Sequence, residues 1–555
     1  MTKKISVFLL IFFAVLASFP LFHPGLIPTH DGEYHVIRFY EFYKTVQSGY
    51  WYPRWAFDLN FKHGVPLFNY VYPLPNYLAL LFHFVGFSFI DSFKLIMSFS
   101  LIVGSLFFFE WLLEFVGVIG AFCGALLYIF TPYHFLDIYI RGSVGEVLAL
   151  GLFPGYLWSI TRYIRKGEKN YAIFSSVFLA LIILSHNILA LMFFGFSLFY
   201  VTFLLFKEKK QSMVKQIIMF YVLGLGLSAI FWIPALLEQK YTVGLQVFSP
   251  TDSFPDLYQL LFPSWGSGFT TSDFQNQLSV QIGIINLLVI FFSTIFLPFK
   301  RQKKSIVIFF LISFLVSTFL ILSWSKNIWL LVPFMNYFQF PWRFLSLTLV
   351  ITAFLGGIFI SGRISKIIGI ILIFSSIPLT IGYTKPAYYL LRNDNYYVSR
   401  SNFIDGTNSP GNSFNTIWYK ANPQRPIAPL SLVGGDILST SGTTSNYKAL
   451  VSIKDTNSLA IYNVTYFPSW VLFIDSKKID IKPSQEGLIQ FKIPKGKHII
   501  TARLLETPIE EFSTFVSLVS FLCILVLFTR PALLQLKNES RNRHKPSKKR
   551  KLSTA

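Results

Sequence analysis

The stretch "THDGEYHVIRFYEF", residues 29–42, places Asp31, Glu33, His35 and Glu41 directly after the first apolar segment of the chain. Carboxylates two positions apart can take a proton from a hydroxyl group or share a divalent cation. A histidine beside them adds a group that titrates near neutrality. The same residues also have a purely structural explanation. Asp31 is followed by glycine and then by Tyr34, Ile37 and Phe42 at helical spacing, with Arg38 and Glu41 one turn apart. Asp31 therefore reads as an N-cap, whose carboxylate satisfies free backbone N–H groups and reacts with nothing. Spacing alone does not separate the two readings.

Further groups of this kind occur where apolar runs end. In "PYHFLDIYIRGSVGE" the residues are His134, Asp137, Arg141 and Glu146. Asp137 and Arg141 have the i,i+4 spacing of a helical ion pair. Glu146 opens an apolar run, where a charge is costly and has a partner or a task. His186 in "LSHN" occupies a short turn, and either braces it or faces the same cavity. In "NYFQFPWRF", Arg343 stands with Gln339 and Trp342, and either pairs a phosphate or snorkels to the interface. "GYWYPRWAFDLNFKHG" alternates Arg54, Asp58, Lys62 and His63 with Trp51, Tyr52 and Trp55. That mixture suits a phosphate held at the headgroup region, and equally a plain aromatic belt.

The elements that position these residues follow from composition. The 555 residues are 53% hydrophobic, 18% aromatic and 13% charged, with a mean hydropathy of +0.54. This is the composition of a polytopic membrane protein. Apolar runs approaching the roughly 20 residues that cross hydrocarbon fall at 5–21, 93–113, 117–133, 146–163, 170–184, 188–206, 216–235, 279–298, 305–323, 344–361, 366–383 and 511–529. A shorter apolar piece at 76–90 reads as interfacial or re-entrant, because a full crossing there would invert every later loop.

The net charge of +22 sits in clusters between the runs: Lys3–Lys4, Arg162–Lys169, Lys207–Lys215, Lys300–Lys304, Arg363–Lys366 and the tail "RNRHKPSKKRK". The positive-inside bias makes these cytoplasmic and argues against nucleic acid as a partner. Both termini are then cytoplasmic, and the segments 22–75, 134–145, 236–278, 324–343 and 384–510 share the outer face. The N-terminal run resembles a signal peptide, with small residues in "AVLASFP", and is read as an uncleaved anchor. Cys123 and Cys523 both lie in apolar runs, which supports neither a disulfide framework nor a cysteine metal site.

Residues 384–510 differ in kind. "KALVSIK", "SLAIYNVTY", "SWVLFID", "GLIQFKI" and "KHIITARLL" have period-2 or β-branched character and are separated by the turn-like "DSKK", "SQEG" and "PKGK". The fold class expected is thus an all-α polytopic membrane bundle of about twelve transmembrane helices, with a small extracytoplasmic all-β, sandwich-like domain before the last helix. The domains are 1–383, 384–510 (loop-rich from Arg392 to Pro429), the last helix 511–529, and a basic cytoplasmic tail 530–555.

A long loop opening with an acidic residue after the first span, followed by a second acidic loop, resembles the membrane-embedded glycosyltransferase C superfamily. More narrowly, "HDGEYHVIRFYEF", "YPRWAFDLNFKHGVPLFNYVYPLP", "TPYHFLDIYIRGSVGE", "FQFPWRF" and "TYFPSWVLFIDSKKIDI" resemble the bacterial membrane proteins labelled as related to 6-pyruvoyl-tetrahydropterin synthase. Pterin synthase itself is a soluble zinc enzyme, and the histidine cluster its metal requires is not evident here.

The superfamily resemblance implies an inverting transfer from a polyprenyl-phosphate-linked sugar to a glycan, glycolipid or protein acceptor, at the outer face of the cell membrane. It implies a first-loop acid acting as base or metal ligand. Asp31 matches that position, with Glu33 and Glu146 as supporting acids and Asp31 and Glu33 as the possible ligands of Mg or Mn. His35, Arg54, His134, Asp137, Arg141, His186 and Arg343 are the expected substrate-binding residues. The alternative function is non-catalytic transport or assembly of lipid-linked glycans, or a glycan-binding scaffold led by the β domain.

Overall fold

The computed structural model describes all residues except 245–251, 269–276, 300–302, 361–362, 400–411, 421–425, 457 and 544–555. Parts of the expected outer loop 236–278, of the loop-rich stretch 392–429, of the basic cluster 300–304 and of the basic tail lie outside the described residues.

Each expected apolar run contains helix among the described residues, and the chain is a multi-pass membrane protein. Eight helices are long and apolar enough to cross a bilayer: Lys3–Phe22, Phe89–Leu113, Val144–Lys166, Asn187–Lys207, Lys304–Ile321, Pro341–Phe359, Lys366–Thr384 and Pro508–Thr529. Two more runs are broken. Val118–Ile129 and Pro132–Arg141 meet at 40°, and Gln211–Leu227 and Ala229–Leu237 at 73°. The runs 170–184 and 279–298 form shorter apolar helices, Lys169–Ser185 and Ile284–Ile295. The spans that qualify among the described residues are therefore 8, or up to 10, rather than a uniform set of twelve. Hydropathy registers apolar length and is blind to a bend. The apolar piece at 76–90 is an 11-residue helix, Leu74–Phe84, followed by a turn at Gly86 and the start of the next long helix.

The helices that matter for the site are α1 (Lys3–Ser18), α2 (Gly32–Gln47), α3 (Leu74–Phe84), α4 (Phe89–Leu113), α5 (Val118–Ile129), α6 (Pro132–Phe135), α7 (Val144–Lys166), α8 (Lys169–Ser185) and α9 (Asn187–Lys207). α4 and α7 pack closely because both carry glycine at the crossing. A Cβ on Gly104 would stand 2.9 Å from the Gly151 Cα, and one on Gly151 would stand 2.5 Å from the Ser100 carbonyl. α2 is amphipathic and lies between the first two spans. It buries Val36, Phe39 and Phe42 and leaves Tyr34 and Lys44 partly open.

The β domain forms as the period-2 pattern predicts. Its strands are β1 (Leu430–Leu432), β2 (Gly435–Thr443), β3 (Asn446–Ile453), β4 (Ser458–Thr465), β5 (Trp470–Ile474), β6 (Lys477–Ile479), β7 (Lys482–Pro483), β8 (Leu488–Ile493) and β9 (Gly496–Leu504). They pair antiparallel in two sheets, ordered β1-β4-β8-β7 and β2-β3-β9-β5-β6. Their inner faces share a core that also takes in Trp55 from the first loop. The Thr465 N–H donates to the His63 carbonyl at 2.8 Å, and the Thr465 hydroxyl to the Gly64 carbonyl at 2.8 Å. A bridge between Leu26 and Leu390 adds a further join, so the first loop and the β domain gather at one end of the bundle.

Cys123 is buried and Cys523 exposed on an apolar helix. If charge bias sets orientation, a Lys209→Cys variant on a Cys523→Ser background will react with an impermeant maleimide only after cells are permeabilised. Labelling in intact cells would overturn the orientation.

Candidate functional site

Asp31 stands at the N-terminus of α2 but does not cap it. The Gly32 N–H donates instead to the Thr29 hydroxyl at 3.0 Å, and the Asp31 side chain makes no cap hydrogen bond. The backbone around it is held from a different helix. His30 N–H donates to the Ile140 carbonyl at 3.0 Å and Asp31 N–H to the Arg141 carbonyl at 2.9 Å. This approach requires Gly142, which has φ +63° and whose Cβ, were there one, would lie 2.2 Å from the Thr29 hydroxyl. The half-buried Asp31 carboxylate thus keeps its lone pairs, within electrostatic reach of Arg38 and Tyr72.

The neighbouring expected residues are placed differently. Glu33 turns to Arg392, with its carboxylate 3.5 Å from the guanidinium. His35 is buried, its ring 6.2 Å from those of Phe39 and Phe93 and 6.5 Å from that of Tyr72. Burial first, and then the charge of Arg38, hold its pKa well below the usual imidazole value, so it is neutral. Glu41 accepts the Asp58 N–H at 3.1 Å, while Lys44 pairs with Asp58.

Glu146 is fully buried and its carboxylate is fully engaged. Arg141 grips it with both terminal nitrogens, each at 2.6 Å, and the Arg343 Nε reaches it at 3.0 Å. Arg141 also holds Asp137 as the i,i+4 spacing predicts. Residues 136–141 form a π-helical turn, wider than an α-turn, which brings Asp137 and Arg141 onto one side. Arg343 also donates to the Phe338 carbonyl at 3.1 Å and to Gln339 at 2.6 Å, and Arg141 lies over Trp342. His186 caps α9, its Nδ1 accepting the Leu189 N–H at 3.2 Å, and its Nε2 is 3.7 Å from Glu146. The sequence expectation put these arginines against a phosphate and Glu146 beside the reaction. Geometrically they form an ionic lattice that fastens three separate chain segments together, with one oxygen of the buried Asp137 carboxylate left without a hydrogen-bond partner.

Arg54 belongs to a third cluster, at the junction with the last helix, Pro508–Arg543. It donates to Asn69 at 3.1 Å, and Asn69 in turn donates to Glu238 at 3.2 Å and to Glu510 at 2.8 Å. His134 packs edge-on against Tyr128 at 4.6 Å and neither ring nitrogen has a hydrogen-bond partner, so it is a core residue here. Sequence reading did not single out Tyr72, Asn69, Glu238 or Glu510. Polar residues at the very ends of apolar runs were the available signal for the two glutamates.

Burial and the nearby Glu510 raise the Glu238 carboxyl to about 7. Because the folded value lies above the unfolded one, the folded state gains at acid pH and loses that gain as pH rises from about 4.5 through about 7. Glu238→Gln is therefore expected to raise the melting temperature at pH 8 by several degrees and to leave it nearly unchanged at pH 5. An equal shift at both pH values would contradict a Glu238 carboxyl raised by burial and by Glu510.

The Arg392 guanidinium stands 3.5 Å from the Glu33 carboxylate, without a hydrogen bond between them. Among the described residues no three His, Cys, Asp or Glu side chains gather as a metal-binding group. Among the described residues the histidine cluster that the zinc of pterin synthase requires is therefore not assembled.

No curated protein matches the chain. Two single-particle cryo-EM structures of the arabinofuranosyltransferase AftD from mycobacteria are similar to it. The first has a TM-score of 0.47 at 13% identity, covering 72% of this chain and 28% of that one. The second, a mutant form, has a TM-score of 0.46 at 13% identity, covering 70% and 28%. The chain therefore spans little more than a quarter of the length of those proteins. Residues 68–390, more than half of the chain, match the family described as "6-pyruvoyl-tetrahydropterin synthase related domain; membrane protein". The chain belongs to this family of membrane proteins, the 6-pyruvoyl-tetrahydropterin synthase related proteins.

Proposed function

We propose that the chain is an inverting membrane glycosyltransferase. It moves a sugar from a polyprenyl-phosphate-linked donor to an envelope glycan, glycolipid or protein acceptor at the outer face, with Asp31 as general base. The observation that supports this reading is the unspent carboxylate of Asp31. Its capping duty is taken by Thr29, and its backbone is pinned to residues 140 and 141. A charged group held in place with nothing to do for the fold is a functional candidate.

In the reaction the acceptor hydroxyl gives its proton to Asp31 while its oxygen attacks the anomeric carbon. The bond from that carbon to the lipid phosphate breaks, and its electron pair leaves with the phosphate. Arg38, on the same helix and 7 positions on, supplies positive charge beside the reacting groups. The lipid tail stays in the bilayer throughout, so a site at the end of the spans meets the sugar without extracting the donor.

The test is a deletion strain and the purified protein together. Loss of the gene should cause a polyprenyl-linked sugar to accumulate and an envelope glycan to lose that sugar. The protein in lipid bilayers should release polyprenyl phosphate from the accumulated compound. A deletion strain whose lipid-linked sugars and envelope glycans equal those of its parent would overturn the reading. So would accumulation without any release by the protein, which is the outcome expected of a transport or assembly factor.

A further inference from the structure

A cleft lies between the first loop, the β domain and the start of the last helix. Its walls include Tyr50, Tyr52 and Arg54 on one side and Phe467, Glu506 and Glu510 on the other. Arg54 is only 9% exposed. One terminal nitrogen is satisfied, by Asn69 at 3.1 Å and the Ile230 carbonyl at 3.4 Å. Its Nε and its other terminal nitrogen have no hydrogen-bond partner, and neither has the buried Tyr52 hydroxyl. Glu506 and Glu510 stand 3.7 and 3.8 Å from Nε, beyond hydrogen-bonding distance. Buried donors left open in this way are costly unless something fills them.

The charges select the class of ligand. One guanidinium faces two carboxylates, with Glu238 behind Asn69, so the cleft does not favour an anion. A neutral ring bearing adjacent hydroxyls both donates and accepts, which matches fixed N–H groups opposite fixed carboxylates. Phe467 in the wall suits the apolar face of such a ring, while Tyr52 carries the Arg54 guanidinium 4.8 Å over its own ring.

The cleft is also tied to Asp31. Asn69 forms part of its wall, and Tyr72, three residues further on, lies within electrostatic reach of Asp31. Three residues of backbone span at most about 11 Å. We infer that this cleft is a subsite for a neutral sugar ring of the acceptor glycan, with Arg54 donating to its hydroxyls and Glu506 accepting from them. The assignment to an acceptor rests on the glycosyl-transfer reading; the recognition of a neutral sugar does not.

Full-length protein in lipid nanodiscs can be examined by saturation-transfer NMR with neutral disaccharides of glucose, galactose, mannose and rhamnose, and with inorganic phosphate as competitor. The expected result is saturation of at least one disaccharide. Glu506→Gln, at a partly exposed position and close in shape, should weaken its binding at least tenfold. Saturation of none of the sugars, wild-type binding by Glu506→Gln, or displacement of the sugar by phosphate would each overturn the subsite. Glu506-dependent binding by a protein that transfers no sugar would instead remove the glycosyltransferase reading and leave the cleft as a glycan-binding site.

Discussion

Asparagine at position 31 is expected to lower sugar transfer by about 10²- to 10⁴-fold, the range that a positioned general base contributes, while abundance and melting temperature stay at wild-type values. The structural cost is small because Thr29, not Asp31, accepts the first free N–H of α2, and asparagine is itself accepted at helix starts. Thr29→Ala should behave in the opposite way. It removes the cap and costs about 1 kcal/mol of stability, but leaves the carboxylate in place. Measuring transfer rate and thermal unfolding on both variants separates chemistry from capping. Wild-type turnover by Asp31→Asn would leave the carboxylate without a catalytic role.

The largest loss of stability is expected at Glu146. Replacing it by leucine leaves Arg141 and Arg343 buried, at 5% and 6% exposure, without the carboxylate that both of them grip. Removing one partner of a buried ion pair typically costs about 3–5 kcal/mol, because the remaining charge is uncompensated. The variant should reach the membrane poorly and unfold well below the wild type in detergent. Arg343→Met combined with Glu146→Leu should recover part of the loss, because Arg141 keeps Asp137 as its partner and the charge removed is the one left uncompensated. A single Glu146→Leu variant as stable as the wild type would show that the lattice contributes little. Its position as a tie among segments 137–146, 186 and 338–343 would then need another explanation.

The period-2 stretches of the β domain were legible because each strand alternates toward one core. Val451, Ala449 and Tyr447 alternate inward on β3, and Ile500 and Ala502 do so on β9. The apolar runs were legible by length. What sequence missed lay in partners that are distant along the chain. Nothing local says that Arg343 reaches Glu146 across 197 positions, or that Asn69 joins Glu238 to Glu510. The i,i+4 pair of Asp137 and Arg141 could be read because its partners are local. Conversely, Asp31 looked like a cap because the motif for capping is local, and the threonine that replaces it in that role sits just two positions earlier.

The pinning of residues 30 and 31 also has a dynamic meaning. Amides in a connecting segment normally exchange with deuterium at rates close to those of free peptide. The amides of His30 and Asp31 are bonded to carbonyls of a helix more than a hundred residues away in sequence. They can open only when the Arg141 turn loosens, so they should exchange with the slow kinetics of that turn. The carboxylate is then carried by a rigid mount, and its position is set by the π-helical turn of residues 136–141 instead of by the loop in which it is written.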